Sequence, residues 1–102
     1  MSARKLPVRL SPEAWDDLED IAANSLTAWG AEQCDRFMAR LDLALQGLGD
    51  NPLLGRPRNE LRPGYRSLLT GQHLIWYEVT ASEIHIVRLI HSSRDLRSVL
   101  EE

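Results

Sequence analysis

Residues 51–66 set the architecture of this chain: Asn51-Pro52-Leu53-Leu54-Gly55-Arg56-Pro57-Arg58-Asn59-Glu60-Leu61-Arg62-Pro63-Gly64-Tyr65-Arg66 holds three Pro, two Gly and four Arg in sixteen residues. Proline has no amide proton and a fixed φ, so no regular helix passes through this stretch. Patterned sequence lies on both sides of it. The segment is therefore an ordered connection between two halves of different periodicity.

Upstream of it the period is helical. Ser11-Pro12 is a helix start, with Ser as N-cap and Pro at the first helical position. Ala14, Leu18, Ile21, Ala22 and Ser25 then recur at helical spacing, which predicts a helix to about Ala28. Gly30 interrupts the pattern. A second helix is expected from about Ala31 to Leu48, with Cys34, Phe37, Met38, Leu41, Ala44, Leu45 and Leu48 on one stripe. Gly49 and Asn51-Pro52 end it. So short a joint implies an antiparallel hairpin of helices.

Downstream the period is two. Strands are expected at Tyr65–Thr70, His73–Val79 and Glu83–His91, turning at Gly71-Gln72 and Thr80-Ala81-Ser82. Alternation puts Ile75, Tyr77 and Val79 on one face, and Leu74 and Trp76 on the other. In the last strand it groups Ile84, Ile86, Arg88 and Ile90, with Val87 and Leu89 opposite them. Residues 4–10 add a short first strand, in which Pro7 favours an edge. Residues 94–101 suit a final turn of helix.

The expected fold is a single two-layer α+β domain over residues 1–102. An N-terminal strand leads into an antiparallel helical hairpin, which packs on a mainly antiparallel curved sheet containing a three-stranded meander. The sheet's other face needs a cover, which so short a chain is not expected to complete.

Charge narrows the function. The formal charge is −3 and Lys5 is the only lysine among twelve basic residues. Residues 1–50 carry five basic against nine acidic side chains; residues 51–102 carry seven Arg against six. A dedicated nucleic-acid binder usually has a clearly basic domain, so direct DNA binding is disfavoured. No apolar run reaches membrane-spanning length and the first residues carry no apolar signal region, so a cytoplasmic protein is expected. The lone Cys34 excludes an internal disulfide, and its place on the apolar stripe makes it a core thiol.

Candidate chemistry is sparse. Glu13, Asp16, Asp17, Glu19 and Asp20 suit the positive end of a helix dipole and have no His at metal spacing, so no metal site or cofactor is expected. His73, His85 and His91 fall in strands, with His73 and His85 placed on neighbouring strands, and no nucleophile is placed beside them. The arginines are the stronger signal. Arg56, Arg58, Arg62 and Arg66 cluster around the connection, and Arg88, Arg94 and Arg97 lie late in the chain. Together they suit contact with an acidic partner or a phosphate. Trp29, at the helix joint where full burial is hard, suits an interface anchor.

The chain resembles the ParE-type toxins of the RelE/ParE superfamily. The likeness rests on Leu10-Ser11-Pro12-Glu13-Ala14, Asp17-Leu18-Glu19-Asp20-Ile21, Trp29-Gly30, Asn51-Pro52-Leu53-Leu54-Gly55-Arg56-Pro57, Glu60-Leu61-Arg62-Pro63-Gly64-Tyr65-Arg66, and Ile86-Val87-Arg88-Leu89-Ile90-His91 followed by Arg94-Asp95. Each piece is weak; their order and spacing carry it. The resemblance implies a toxin that inhibits DNA gyrase by binding rather than by catalysis. It implies neutralisation by a ParD-like ribbon-helix-helix antitoxin, in a complex that represses its own operon and touches operator DNA only through the antitoxin. Roles in plasmid maintenance and stress response belong to the same reading.

The competing reading within the superfamily is a RelE-like ribosome-dependent mRNA endoribonuclease. A RelE-like Tyr would fall near Leu100, and Leu cannot transfer a proton. A third reading is a non-toxic co-repressor subunit with the same fold. No residue is assigned a catalytic role. The candidate gyrase contacts are Arg56, Arg58, Arg62, Arg88, Arg94, Arg97 and Leu100. The candidate antitoxin contacts are Leu26, Trp29, Leu74, Trp76, Val87 and Leu89.

Overall fold

A computed structural model describes residues 5–100 of the 102. The order is β1 (Val8–Leu10), α1 (Pro12–Trp29), α2 (Ala31–Asp50), β2 (Arg56–Pro57), β3 (Tyr65–Thr70), β4 (His73–Val79), β5 (Ile84–His91) and α3 (Leu96–Leu100). One sheet runs β1-β5-β4-β3-β2, with β1 parallel to β5 and every other pair antiparallel. The expected α+β architecture is present, with the helices packed on an open sheet. No described helix is long and apolar enough to cross a membrane.

The helix boundaries follow local chemistry. Ser11 caps α1 by accepting the Ala14 N–H at 3.0 Å, and Pro12 occupies the first turn. The same hydroxyl donates to the Val87 carbonyl at 2.8 Å, so the cap also ties α1 to β5. Gly30, at φ 85°, is the whole joint between α1 and α2. Both helices run slightly beyond the expected ends, to Trp29 and Asp50. Ser11→Ala removes both bonds of a buried hydroxyl and should lower stability by about 1–2 kcal/mol. Urea unfolding checks this; an unchanged midpoint would mean the cap is dispensable.

The main core lies between the helix hairpin and one sheet face. Leu41, Leu45 and Leu48 of α2 meet Ile75, Tyr77, Ile84, Ile86 and Leu89 there, with Ala14 and Ile21 of α1. A second cluster on the opposite face contains Tyr65, Trp76, Ile90, Leu96 and Val99, flanked by Leu61, Leu74 and Val87. The short α3 therefore supplies a cover for the second face from within the chain, where the sequence suggested that one would be lacking.

Three local expectations change. The first strand covers only Val8–Leu10, and residue 4 lies outside the described residues. The Pro/Arg connection contains an additional strand, Arg56–Pro57, paired with Ser67 and Arg66. Pro57 is tolerated there because β2 is a sheet edge, where a missing donor leaves no neighbour unsatisfied. Finally, β5 does not alternate strictly. Tyr77 pairs with Ile86 while Trp76 pairs with Arg88, so Val87 has no partner in β4. This β-bulge shifts the faces beyond it. Leu89 joins Ile84 and Ile86 against the helices, and Ile90 goes to the opposite cluster.

Candidate functional site

Beyond Leu10, β5 has no strand on its outer side, and α1 takes that place. The Ser11 N–H donates to the Ile86 carbonyl at 2.9 Å. Asp17, two turns into α1, accepts from the Leu89 N–H at 3.0 Å and from Arg88 Nε and Nη2 at 2.7 and 2.9 Å. Side-chain exposure is 19% for Arg88 and 11% for Asp17. Asp17 thus serves β5 as both an edge partner and a counter-ion, and Arg88 lies in a largely buried ion pair. Of the acidic helix face noted in the sequence, this carboxylate has a defined structural task.

The other arginines gather at the opposite side of the sheet. Arg58 lies over the Trp76 ring, 5.1 Å from its centroid. Its Nε donates to Ser67 Oγ at 2.7 Å, and its Nη1 is 3.5 Å from Glu60 Oε2. Arg58 shares a cavity of about 340 Å³ with Arg94 and Arg97, both exposed. Leu61, Leu74 and Leu96 form apolar parts of its wall, and Glu60 and Asp95 also line it. No His or Tyr lines this cavity. Arg56, also exposed, shares a neighbouring concavity with Arg58, Leu69 and Leu74. Arg62 is exposed and rests against the Tyr65 ring, 5.6 Å from its centroid. Leu100 is half exposed at the end of α3.

The loop that carries Arg56 and Arg58 is pinned from below. Tyr77 is fully buried; its hydroxyl accepts the Gly55 N–H and donates to the Pro52 carbonyl, each at 2.8 Å. Arg66 Nη1 donates to the Gly55 carbonyl at 2.6 Å. Burial pushes the Tyr77 hydroxyl pKa up, while the Gly55 bond and Arg66 work against that. Arg66, grouped with the surface cluster in the sequence, is thus a brace for the loop.

The candidate antitoxin contacts divide by exposure. Leu26 and Trp29 are about half exposed on α1. Leu74 and Val87 are half-buried beside the second cluster. Trp76 is only 6% exposed, beneath Arg58 and beside Leu96 and Val99, and Leu89 is 2% exposed in the main core. Leu89 offers no free surface in this conformation, and Trp76 only the little that lines the arginine cavity. For Leu89 the reason is the bulge, which strict alternation does not anticipate.

Sequence reasoning also missed the environment of Trp29. His73 and His85 lie on neighbouring strands as expected, but the histidine facing His73 is His91, with ring centroids 5.5 Å apart, and His85 pairs with Glu78. His73 also lies 5.8 Å from Phe37, which makes an edge contact with Trp29 at 5.9 Å. Burial, and secondarily His91, lowers the His73 pKa below 6.5. The folded state therefore takes up this proton less readily than the unfolded chain. Stability is complete above about pH 6.5 and declines as pH falls past that value toward the lower folded-state pKa. The drop in urea midpoint from about pH 7.5 to about pH 5 should be larger for the natural chain than for His73→Gln. Equal drops would refute this account. Among the described residues no cluster of His, Cys, Asp or Glu is arranged to hold a metal ion.

Comparison with known proteins gives a consistent picture. The family model described as the ParE toxin of the type II toxin–antitoxin system, parDE, matches residues 8–96. Toxin ParE1 of Mycobacterium tuberculosis is 38% identical over 97 residues, covering 94% of this chain and 96% of that protein. Toxin ParE1 of Caulobacter vibrioides is 35% identical over 94 residues, covering 92% and 97%. In fold, the chain is similar to a solved chain of the chromosomal ParDE TA system from P. aeruginosa, with a TM-score of 0.74 at 20% identity, covering 87% of this chain and 98% of that one.

Proposed function

The chain belongs to the ParE toxin family of type II toxin–antitoxin systems, and from that premise we propose that it inhibits DNA gyrase by binding and is neutralised by a ParD-like ribbon-helix-helix antitoxin. It acts in the cytoplasm, and its complex with the antitoxin represses the shared operon. The observation that carries the binding reading is the composition of the arginine cavity. Arg58, Arg94 and Arg97 supply fixed positive charge, and no imidazole or phenol lines the cavity with them to move a proton. Arginine stays protonated at all relevant pH, so this wall can hold an anion but is poorly suited to general acid–base catalysis.

The exposed Arg56, Arg62, Arg94, Arg97 and Leu100, with the half-buried Arg58, form the proposed gyrase-contacting side. The exposed apolar groups of α1, Leu26 and Trp29, with the half-buried Leu74 and Val87, are the proposed antitoxin contacts. Toxin neutralisation requires a large interface, and an antitoxin tail that folds on binding can wrap both regions.

Expression of the chain alone in bacteria tests the reading, with SOS induction and bulk translation followed together and purified gyrase assayed in parallel. Growth arrest with SOS induction, continued translation and loss of supercoiling is the expected result. An immediate stop in translation without SOS would overturn it in favour of ribosome-dependent mRNA cleavage. A folded chain that neither arrests growth nor affects gyrase would make it an inert co-repressor.

A further inference from the structure

Trp76 leads from the arginine cavity to a more specific statement. Its indole Nε1–H is buried and has no hydrogen-bond partner among the described residues, although the residue lines a cavity. An unmet buried donor is costly, by about 1–3 kcal/mol. The neighbouring guanidinium of Arg58 is held by the ring beneath it and by Ser67. Its orientation is therefore set before any ligand arrives, which reduces the ordering cost of binding.

The charge balance identifies the anion. Among the described residues, three arginines and two carboxylates, Glu60 and Asp95, line the cavity, a net charge of +1 (three minus two). That offsets one carboxylate. A nucleic-acid backbone would bring a row of charges toward Glu60 and Asp95, on a chain whose own formal charge is −3. The apolar wall of Leu61, Leu74 and Leu96 suits an aliphatic neighbour of the charged group.

We propose that this cavity is a recognition pocket for the side-chain carboxylate of an aspartate or glutamate flanked by apolar residues in a protein partner, the carboxylate bridging the arginines and the Trp76 indole N–H. The inference takes from the functional reading only that the partner is a protein.

The test uses the full chain labelled with ¹⁵N. The Trp76 indole resonance is assigned by its absence in Trp76→Phe. The probes are acetyl-Leu-Glu-Leu-amide, its Gln counterpart and inorganic phosphate. The Glu peptide should shift the indole resonance saturably, and the Gln peptide should bind about ten-fold more weakly or worse, as expected for loss of a charge-assisted hydrogen bond. Arg97→Gln, at an exposed position, should abolish most of the response while leaving the rest of the spectrum unchanged. The proposal is overturned by no response, by equal responses to the two peptides, by a response unaltered in Arg97→Gln, or by phosphate binding more tightly than the Glu peptide. Because the readout does not involve gyrase or growth, its failure is distinguishable from failure of the gyrase assignment.

Discussion

Arg88→Ala should destabilise the fold by about 3–5 kcal/mol, the usual consequence of removing one member of a buried ion pair. Asp17 would keep its charge and its bond to the Leu89 N–H but lose two guanidinium hydrogen bonds of 2.7 and 2.9 Å. A domain of this kind has only about 5–15 kcal/mol of net stability, so the loss would be a large share of the total. Arg88→Lys should be intermediate, because an ammonium cannot reproduce the two-pronged geometry. Asp17→Asn should also be milder than Asp17→Ala, since an amide oxygen can still accept from Leu89. Urea unfolding of the purified chains measures all four. The result bears directly on function. Arg88 is a candidate gyrase contact, yet its pairing predicts that Arg88→Ala loses toxicity by unfolding. A variant with an unchanged unfolding midpoint but no toxicity would reverse that conclusion and make Arg88 a contact residue.

Gly55→Ala is expected to cost about 2–4 kcal/mol, from overpacking together with a weakened hydrogen bond. A Cβ at this position would lie 2.6 Å from Tyr77 Oη and 2.9 Å from the Ser67 carbonyl oxygen. Tyr77 is fully buried and hydrogen-bonded on both sides, so it has little room to withdraw. Tyr77→Phe should itself cost about 1–3 kcal/mol by leaving the Gly55 N–H and the Pro52 carbonyl without their partner. The two effects should not add. Removing the hydroxyl relieves the closest contact of the new methyl, so the double substitution should be less damaging than the sum by about 0.5–3 kcal/mol. A thermodynamic cycle from four unfolding curves decides it, and strict additivity would show that the loop yields without moving Tyr77. Since this loop positions Arg56 and Arg58, both single variants should also weaken binding by the arginine face.

Much of this arrangement can be read from the sequence where local chemistry determines local structure. Ser11-Pro12, Gly30 and Asn51-Pro52 punctuate the helices, and the Gly71 turn and period-two pattern give the meander. The arginine cluster was visible as a cluster, but the tasks of its members were not. Arg58 on Trp76, Arg66 under Gly55 and Arg88 on Asp17 each depend on a partner eleven to seventy-one positions away, and no short-range pattern encodes those pairings. The two-residue β2 was hidden because Pro57 argues against a strand unless the edge position is known. The burial of Trp76 depends on α3 folding back, which is a tertiary event.

Val87 acts as a change of phase within β5. Before it, even-numbered positions point toward the helices; after it, Leu89 does, and the two halves of one strand are written in opposite parity. The consequence concerns register more than residue type. A relative lacking one residue here would need no bulge and would keep its counterpart of Leu89 inward, whereas a relative of the same length with a regular strand would turn its counterpart of Leu89 outward and bring that of Ile90 in. Similar apolar sequences could then expose different surfaces near the arginine face, so partner choice in such chains can diverge through the presence or absence of one bulge.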